Sequence, residues 1–261
     1  MNLEEIRAWN KRLKDAFPGI SFQEDIHKYT IAGQEDRPIK SVSALMKYFY
    51  EEFDSDTLAE KYAKSRKLDP EDVKLAWAGE GTISTTHGTK VHLFGEDYIK
   101  WKWLGELDEP PVVFDKQSLG VKQFLDSLPS YFVPVASELQ MYHPEHWYCG
   151  TADIIFYNEK TGKLSIGDLK TNRVIEGDKY SEKPLKYIGE KYGLDSSNLS
   201  KYSVQFSFYQ LMLQNKGFEF DTRVLIHLTD DKFEKKLYKT YRTLDLTEDL
   251  DKWLLTKEHL K

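Results

Sequence analysis

Two charged residues interrupt a segment that otherwise has the composition of a buried β-strand. Residues 163–171 have the sequence KLSIGDLKT, and the period of two in a strand places Asp168 and Lys170 on the face that also carries Leu164 and Ile166. Burying an unpaired carboxylate or ammonium costs several kcal/mol, roughly. The fold must therefore compensate these charges, either by pairing Asp168 with Lys170 or by binding a divalent cation through several oxygens.

Two earlier segments supply further carboxylates. Residues 133–142 and 151–158 are predicted as strands, of which the first contains Glu138 and the second contains Asp153. Three successive strands therefore carry acidic side chains.

The loop between the last two of these strands determines how close their acids lie. Its sequence, NEKTG, is typical of a hairpin connection, and Gly162 can adopt a positive φ. A hairpin here brings Asp153 close to Asp168. Two like charges about 4 Å apart repel by roughly 1 kcal/mol in water and by several times more inside a protein. A bound cation would relieve this repulsion.

Two further segments carry polar side chains at helical spacing. Residues 199–216 are predicted as a helix, in which Gln205 and Tyr209 share one face and could reach a phosphate or an attacking water. A buried, hydrogen-bonded tyrosine is the alternative. Residues 83–103 are predicted as another helix, in which His92 is a candidate metal ligand or, alternatively, a packed or solvated histidine.

The order of these residues resembles the PD-(D/E)xK nuclease superfamily, in its RecB-like exonuclease branch. The motifs are Gly88-Thr-x-x-His92, Glu138, Gly150-x-x-Asp153, Asp168-x-Lys170 and Gln205-x-x-x-Tyr209. The start of the chain resembles phage-type members, with His27-Lys-Tyr29 in a hairpin-like stretch and Ser41-Val-Ser43 opening a helix. The resemblance spans most of residues 20–230.

The resemblance implies an α/β fold with a restriction-endonuclease-like core, in which helices flank a central mixed β-sheet. The length of the chain leaves room for an N-terminal helical extension, which we expect in addition. Strands are also predicted at 222–228 and 236–244. We expect one domain over residues 1–261, divided into an N-terminal elaboration at 1–82, a nuclease core at 83–245 and a C-terminal helix at 246–261.

The same resemblance implies a metal site. Asp153, Asp168 and His92 would hold Mg²⁺ or Mn²⁺ together with the carbonyl oxygen of Leu169, since carboxylate oxygens favour these ions. Glu138 would be either a ligand of a second ion or a group that orients the ligands of the first.

The remaining motif residues are expected to act on the substrate. Lys170 would orient and stabilise charge, because an ammonium beside two carboxylates stays protonated. Gln205 and Tyr209 would contact the substrate strand or buttress the lysine. The identity of the general base stays open.

The charge balance neither requires nor excludes a nucleic-acid partner. The net charge is −6 and the pI is about 5.7, but affinity for DNA depends on local phosphate contacts. Two basic clusters are equally compatible with a DNA track and with a solvated face: Lys61, Lys64, Arg66 and Lys67, and Arg173, Lys179, Lys183 and Lys186.

Several aromatic residues are candidates for stacking on unpaired bases, although packing against the core is the commoner role. Three of them, Tyr180, Tyr187 and Tyr192, lie in the segment 172–200, which is predicted to be a mobile loop over the site. Trp77 could likewise either stack on unpaired bases or pack against the core.

A single cysteine, Cys149, excludes an internal disulfide framework and an iron–sulfur cluster held by four cysteines of this chain. It is expected to be a small packing residue. The chain has neither the pattern of a signal peptide nor an apolar run that could span a bilayer, so we expect a cytoplasmic protein that does not insert into membranes.

These observations and the resemblance together predict a metal-dependent deoxyribonuclease. The resemblance alone implies exonuclease action on linear single- or double-stranded DNA, in phage or bacterial recombination or DNA processing. A recombination or helicase partner and a homo-oligomer are compatible with it. The alternatives are a non-catalytic module of the same fold that binds DNA ends or a protein, and an endonuclease or RNase that uses the same site.

Overall fold

The computed structural model describes residues 1–23, 26, 28–51, 53–176, 183–231 and 233–260. His27, Lys179 and Tyr180, named above, lie outside the described residues. The strands are β1 (Ile20–Gln23), β2 (Lys28–Ile31), β3 (Lys40–Ser41), β4 (Phe132–His143), β5 (Tyr148–Asn158), β6 (Lys163–Lys170), β7 (Phe220–Leu228) and β8 (Tyr238–Arg242). The helices are α1 (Leu3–Asp15), α2 (Val42–Met46), α3 (Ser55–Arg66), α4 (Pro70–Ile99), α5 (Lys116–Asp126), α6 (Gly189–Tyr192), α7 (Asn198–Asn215) and α8 (Thr247–Leu255).

A mixed sheet forms the centre of the molecule. Strands β4, β5 and β6 are antiparallel neighbours, β6 runs parallel to β7, and β7 runs antiparallel to β8. The predicted hairpin between β5 and β6 is confirmed, since the amides of Thr161 and Gly162 donate to the carbonyl of Asn158 and Gly162 has φ +72°. Helix α7 provides the crossover between the parallel strands β6 and β7, as such a connection requires.

The sheet forks where the acidic residues lie. Strand β5 pairs with β6 up to Ile154 and Gly167, whereas its first two residues, Tyr148 and Cys149, pair instead with the short parallel strand β3. Residues 150–153 of β5 lie between these two ladders. The fork therefore leaves room for side chains at the end of the β5–β6 hairpin.

Helices cover both faces of this sheet. Leu169 meets α4 at Gly95, where a Cβ would lie 2.7 Å from the Leu169 Cδ1 atom. The next residue, Lys170, lies over the ring of Tyr202 in α7. Because successive residues of a strand point to opposite faces, α4 and α7 pack on opposite sides of β6. The predicted α/β arrangement with a mixed sheet between helices is confirmed.

The N-terminal part contains the helices α1, α2 and α3, in agreement with the predicted helical extension. It also contains the hairpin of β1 and β2, in the stretch predicted to be hairpin-like, and its strand β3 belongs to the central sheet. The expected boundary between residues 82 and 83 falls inside α4, which begins at Pro70 rather than at Ile83. The reason is a strong start signal, since Asp69 caps the Glu71 amide at 2.7 Å and proline occupies the first turn.

The remaining expectations about single elements agree closely with the structure. Ser41 caps α2 by accepting a hydrogen bond from the amide of Ala44, and Cys149 is fully buried as a packing residue. One hydrophobic cluster includes Ile6 of α1 and Leu254 of α8 together with residues of the sheet. None of the described helices combines the length and apolar character needed to cross a membrane.

Candidate metal and phosphate site

Three side chains converge at the fork of the sheet. The Nδ1 atom of His92, on α4, lies 3.2 Å from Oδ2 of Asp153 and 4.0 Å from Oε1 of Glu138. One potential ligand atom from each residue lies within 4.8 Å of the other two. Two atoms bound 2.1 Å from one ion lie at most about 4.2 Å apart, so small side-chain movements would let all three bind the same divalent ion.

The donor set and the surrounding charge fit such an ion. One imidazole and two carboxylates form a mixed nitrogen and oxygen set, which suits Mn²⁺ and, less well, Mg²⁺. The Oδ2 atom of Asp168 faces the ammonium of Lys170, but within the described residues no hydrogen bond of regular geometry satisfies this buried oxygen. This carboxylate oxygen beside the group of three thus relies on the ion pair with Lys170 rather than on a regular hydrogen bond.

The backbone holds two of these acids in place by different means. Asp153 Oδ2 accepts a hydrogen bond from the amide of Leu169 at 2.8 Å, which ties the acid to β6. Glu138 has φ +46° within β4, a conformation that costs a non-glycine residue about 1–3 kcal/mol. Such strain is common at functional sites and directs the Glu138 side chain differently from that of a regular strand residue.

Asp168 and Lys170 form an ion pair beside the group of three, as the shared face of β6 predicts. Asp168 is 2 % exposed. Lys170 Nζ also lies 4.8 Å from the ring centre of Tyr202, whose hydroxyl donates to Asn172. Asp168 is not among the three residues whose donor atoms converge, and its role as a metal ligand stays a prediction, as does that of the Leu169 carbonyl.

Burial and mutual repulsion shift the pKa values of the acidic side chains in the site. Burial raises the pKa of Glu138 to about 8, and the charge of Asp153 adds to the effect. Burial also raises the pKa of Asp168 to about 6, together with Asp153 and against the opposing influence of Lys170. Burial would raise the pKa of Asp153 as well, but the neighbouring His92 and Lys170 outweigh it and the net shift is downward.

The same charges change the pKa values of the two basic side chains, His92 and Lys170. Burial disfavours the protonated form of His92, but Asp153 outweighs it and raises the pKa to about 9. Burial likewise opposes the charge of Lys170, whereas Asp168 and Asp153 together hold its pKa above the usual value. Lys170 is therefore an ammonium that can orient and stabilise negative charge.

The predicted Gln205–Tyr209 pair lies behind this site. Gln205 Nε2 donates to the Tyr209 hydroxyl at 3.0 Å, and Tyr209 is only 4 % exposed. Its ring packs against Gly150, where a Cβ would lie 2.7 Å from the Tyr209 Cε1 atom. The structure thus places Tyr209 against β5, whereas the ring that lies over Lys170 is that of Tyr202. A side chain at position 150 would collide with the Tyr209 ring, so this position requires a glycine.

An open cleft leads to the site along one side of α4. Its volume is about 1170 Å³, and His92 and Glu138 are among the residues that line it. Phe22 of β1, Trp77 of α4 and Arg173, which follows β6, also line it. The sequence contains no signal that these three residues share one surface, because they come from parts of the chain that only the tertiary fold brings together.

The expected aromatic loop over the site is only partly described. Tyr187 donates to Glu258 and Tyr192 donates to Asp249, so both rings lie against the C-terminal part of the chain. Lys183 pairs with Glu51.

No protein-family model matches this chain, and no curated protein matches it. The geometry of the site is therefore the basis for assigning a function.

Proposed function

We propose that this chain is a metal-dependent nuclease of the PD-(D/E)xK type, with a restriction-endonuclease-like core, that hydrolyses phosphodiester bonds in DNA. The observation that carries the proposal is the convergence of His92, Glu138 and Asp153 beside the Asp168–Lys170 pair. A group of acids alone is common on protein surfaces. A group that combines an imidazole, a backbone-anchored carboxylate and a buried lysine at a fork of the sheet is much more specific.

The size of the chemical barrier supports a metal ion. Enzymes that hydrolyse phosphodiester bonds must lower the activation barrier by about 20 kcal/mol. A general base accelerates the reaction by roughly 10²- to 10⁴-fold, which corresponds to only a small part of that barrier. A divalent ion bound by His92, Glu138 and Asp153 would polarise the phosphate and lower the pKa of a water molecule. Electrostatic stabilisation would thus supply most of the remainder.

The residues of the chain position the substrate around that ion. The Lys170 ammonium would bind a non-bridging oxygen and stabilise the charge that develops during cleavage. Asp168 and the ring of Tyr202 hold this ammonium from two sides. Tyr209 and Gln205 maintain the packing of α7 against β5, while the partly exposed Gln205 remains a candidate for substrate contact.

The first experiment is time-resolved digestion of end-labelled linear DNA and covalently closed circular DNA with Mn²⁺, Mg²⁺ or EDTA. We expect metal-dependent loss of linear DNA, since exonuclease action on DNA ends is what the resemblance implies. Lys170→Met and Asp168→Asn should each lower the rate at least 10²-fold. Cleavage of circles would favour an endonuclease, and cleavage of RNA alone would favour an RNase.

A matched control is available on the surface. Lys191 and Asp249 form another lysine–aspartate pair, at 2.7 Å and far more exposed than the pair in the site. Lys191→Met and Asp249→Asn should leave the cleavage rate unchanged. Thermal unfolding of all four variants distinguishes loss of chemistry from loss of folding.

Calorimetric titration with Mn²⁺ tests the metal site without turnover. We expect the wild-type chain to bind Mn²⁺ and Asp153→Asn to bind it at least 10-fold more weakly, with Asp249→Asn as the control. Absence of cleavage on every substrate, combined with DNA binding that neither Mn²⁺ nor Lys170→Met affects, would contradict the enzyme and support a DNA-binding module of the same fold.

A further inference from the structure

The cleft beside α4 has a floor of small residues and walls that carry aromatic rings. Trp77, Gly81, Ser84, Gly88 and His92 recur at intervals of three or four and therefore share one face of the helix. At 1.5 Å per residue, Trp77 and His92 are about 22 Å apart along the helix. The cleft therefore extends well beyond the space that one nucleotide at the candidate metal site would need.

The charges along the cleft are unsuited to a duplex held by its phosphates. Among the described residues that line it, Arg173 is the one arginine or lysine. Three of the lining residues are acidic: Glu80, Glu96 and Glu138. Duplex DNA carries one negative charge per about 1.7 Å, and proteins that bind it mainly through phosphates use several lysines and arginines. The affinity of this cleft for DNA must therefore come mostly from contacts other than ion pairs with phosphates.

The aromatic rings offer that affinity to unpaired bases. Phe22 is half-buried, and its ring lies 4.5 Å from that of Tyr29 with the two planes tilted by 34°. Trp77 makes edge-to-face contacts with Tyr62 and Phe53. Their neighbours keep both rings in place while they line the cleft. Stacking of a base on such a ring stabilises binding whatever the nucleotide sequence of the strand. It requires a base that is not paired in a duplex.

Resting on the function proposed above, we propose that this cleft binds a single-stranded DNA end and leads it to the metal site. Bases stack on Phe22 and Trp77, Arg173 contacts a phosphate, and the backbone passes over the small residues of α4. A length of about 22 Å corresponds to roughly six nucleotides at the 3.4 Å spacing of stacked bases. The substrate class is therefore a single strand, or a duplex whose end carries an unpaired tail of about this length.

Two glycines of α4 provide a test that does not remove any contact. Gly81 lines the cleft, whereas Gly79 does not, and the two lie about 200° apart around the helix. Among the described residues, no atom lies within 4 Å of the position that a Cβ would take at either glycine. Leucine favours a helix more than glycine does, so neither Gly81→Leu nor Gly79→Leu should lower the melting temperature.

Binding is measured by fluorescence anisotropy in EDTA, with a labelled oligo-dT strand, a tailed duplex and a blunt duplex. The wild-type chain should bind the strand and the tailed duplex more tightly than the blunt duplex. Gly81→Leu should weaken binding of the strand at least 10-fold, and Gly79→Leu should not change it. Phe22→Ala or Trp77→Ala should weaken it by about 5- to 150-fold, which is the range for loss of one stacked base.

Salt dependence separates the phosphate contact from stacking. Arg173→Gln should make the slope of log K against log salt concentration less negative by about 0.7, the value for one phosphate of a single strand. The two aromatic substitutions should leave that slope unchanged.

Equal binding by Gly81→Leu and Gly79→Leu, or tighter binding of the blunt duplex than of the strand, would overturn the single-strand track. If the wild-type chain still cleaves DNA with metal, that result leaves the proposed function intact. Conversely, strand binding that Gly81→Leu alone weakens, without cleavage of any substrate, would support the track and reject the nuclease.

Discussion

Single residues of the site illustrate how burial and charge determine protonation together. Asp168 and Lys170 lie side by side on β6, and burial disfavours the charged form of each. Removing one partner of a buried ion pair typically costs about 3–5 kcal/mol, because the other charge is left uncompensated. Variants of this pair therefore require a measurement of stability beside every measurement of activity.

His143, at the end of β4, provides a prediction about pH. Its side chain is buried, and its Nδ1 atom accepts a hydrogen bond from the amide of His146. Burial lowers the pKa of His143 to about 4, and the neighbouring His146 and Lys216 add to the shift. Because the unfolded chain binds this proton at about pH 6.5, the stabilisation is complete above that pH and is lost as the pH falls towards 4.

His143→Asn keeps an acceptor for the His146 amide but does not titrate. We expect the wild-type chain to lose about 2 kcal/mol of stability relative to this variant between pH 7 and pH 5. Urea unfolding at several pH values measures the difference in unfolding free energy between the wild-type chain and His143→Asn. The contributions of other titrating groups cancel in this difference, because both proteins contain them. A difference in unfolding free energy that is independent of pH would show that His143 is not responsible.

At the level of secondary-structure elements, the surroundings of a helix determine how the replacement of a glycine in it changes the stability of the protein. Gly79 lies in α4, and among the described residues no atom occupies the space where its Cβ would extend. Gly120 lies in α5, where a Cβ would be 2.6 Å from the backbone carbonyl oxygen of Leu237. Helix propensity treats the two positions alike, since alanine is favoured over glycine in both.

We therefore expect opposite results from the same substitution. Gly79→Ala should stabilise the chain by about 0.5–1 kcal/mol. Gly120→Ala should destabilise it by about 1–3 kcal/mol, because α5 must move away from the segment before β8. Urea unfolding measures both values, and stabilisation by Gly120→Ala would contradict the close approach of α5 to Leu237.

For the whole molecule, two hydrophobic clusters of unequal size contain most of the buried apolar side chains that the structure describes. The larger one joins the sheet to helices on both its faces, and it includes Val91 and Ile99 in the second half of α4. The smaller one consists of Ala59, Ala63 and Val73, with Trp77 packed against them, and it joins α3 to the first half of α4. The pair of helices beside the cleft thus buries little apolar surface of its own.

This division predicts different rates of local opening along one helix. Backbone amides of α3 and of residues 74–88 in α4 should exchange with solvent deuterium faster than those of residues 91–99. The buried side chains of residues 91–99 stabilise that part of the helix by roughly 1.5–3 kcal/mol each. Residues 74–88 have no fully buried side chain. Hydrogen exchange followed by mass spectrometry tests this, and uniform protection of α4 would contradict it.

Much of the site could be predicted from the sequence, because local rules determine it. The alternation of β6 places Asp168 beside Lys170, and the hairpin loop brings Asp153 within reach of the Leu169 amide. The four-residue spacing of α7 brings Gln205 to Tyr209. Each of these relations depends on strand period, turn chemistry or helix period, which the sequence encodes over short distances.

Other features depend on contacts between distant segments, and only the tertiary structure decided them. Residue types do not encode the positive φ of Glu138, the pairing of β3 with β5, or the cleft that brings Phe22 and Arg173 to one side of α4. The physical reason is that period and propensity act over a few residues, whereas strain, register and open space result from packing the complete chain. The sequence alone determined which groups can perform chemistry, and the packed fold decided which of them meet.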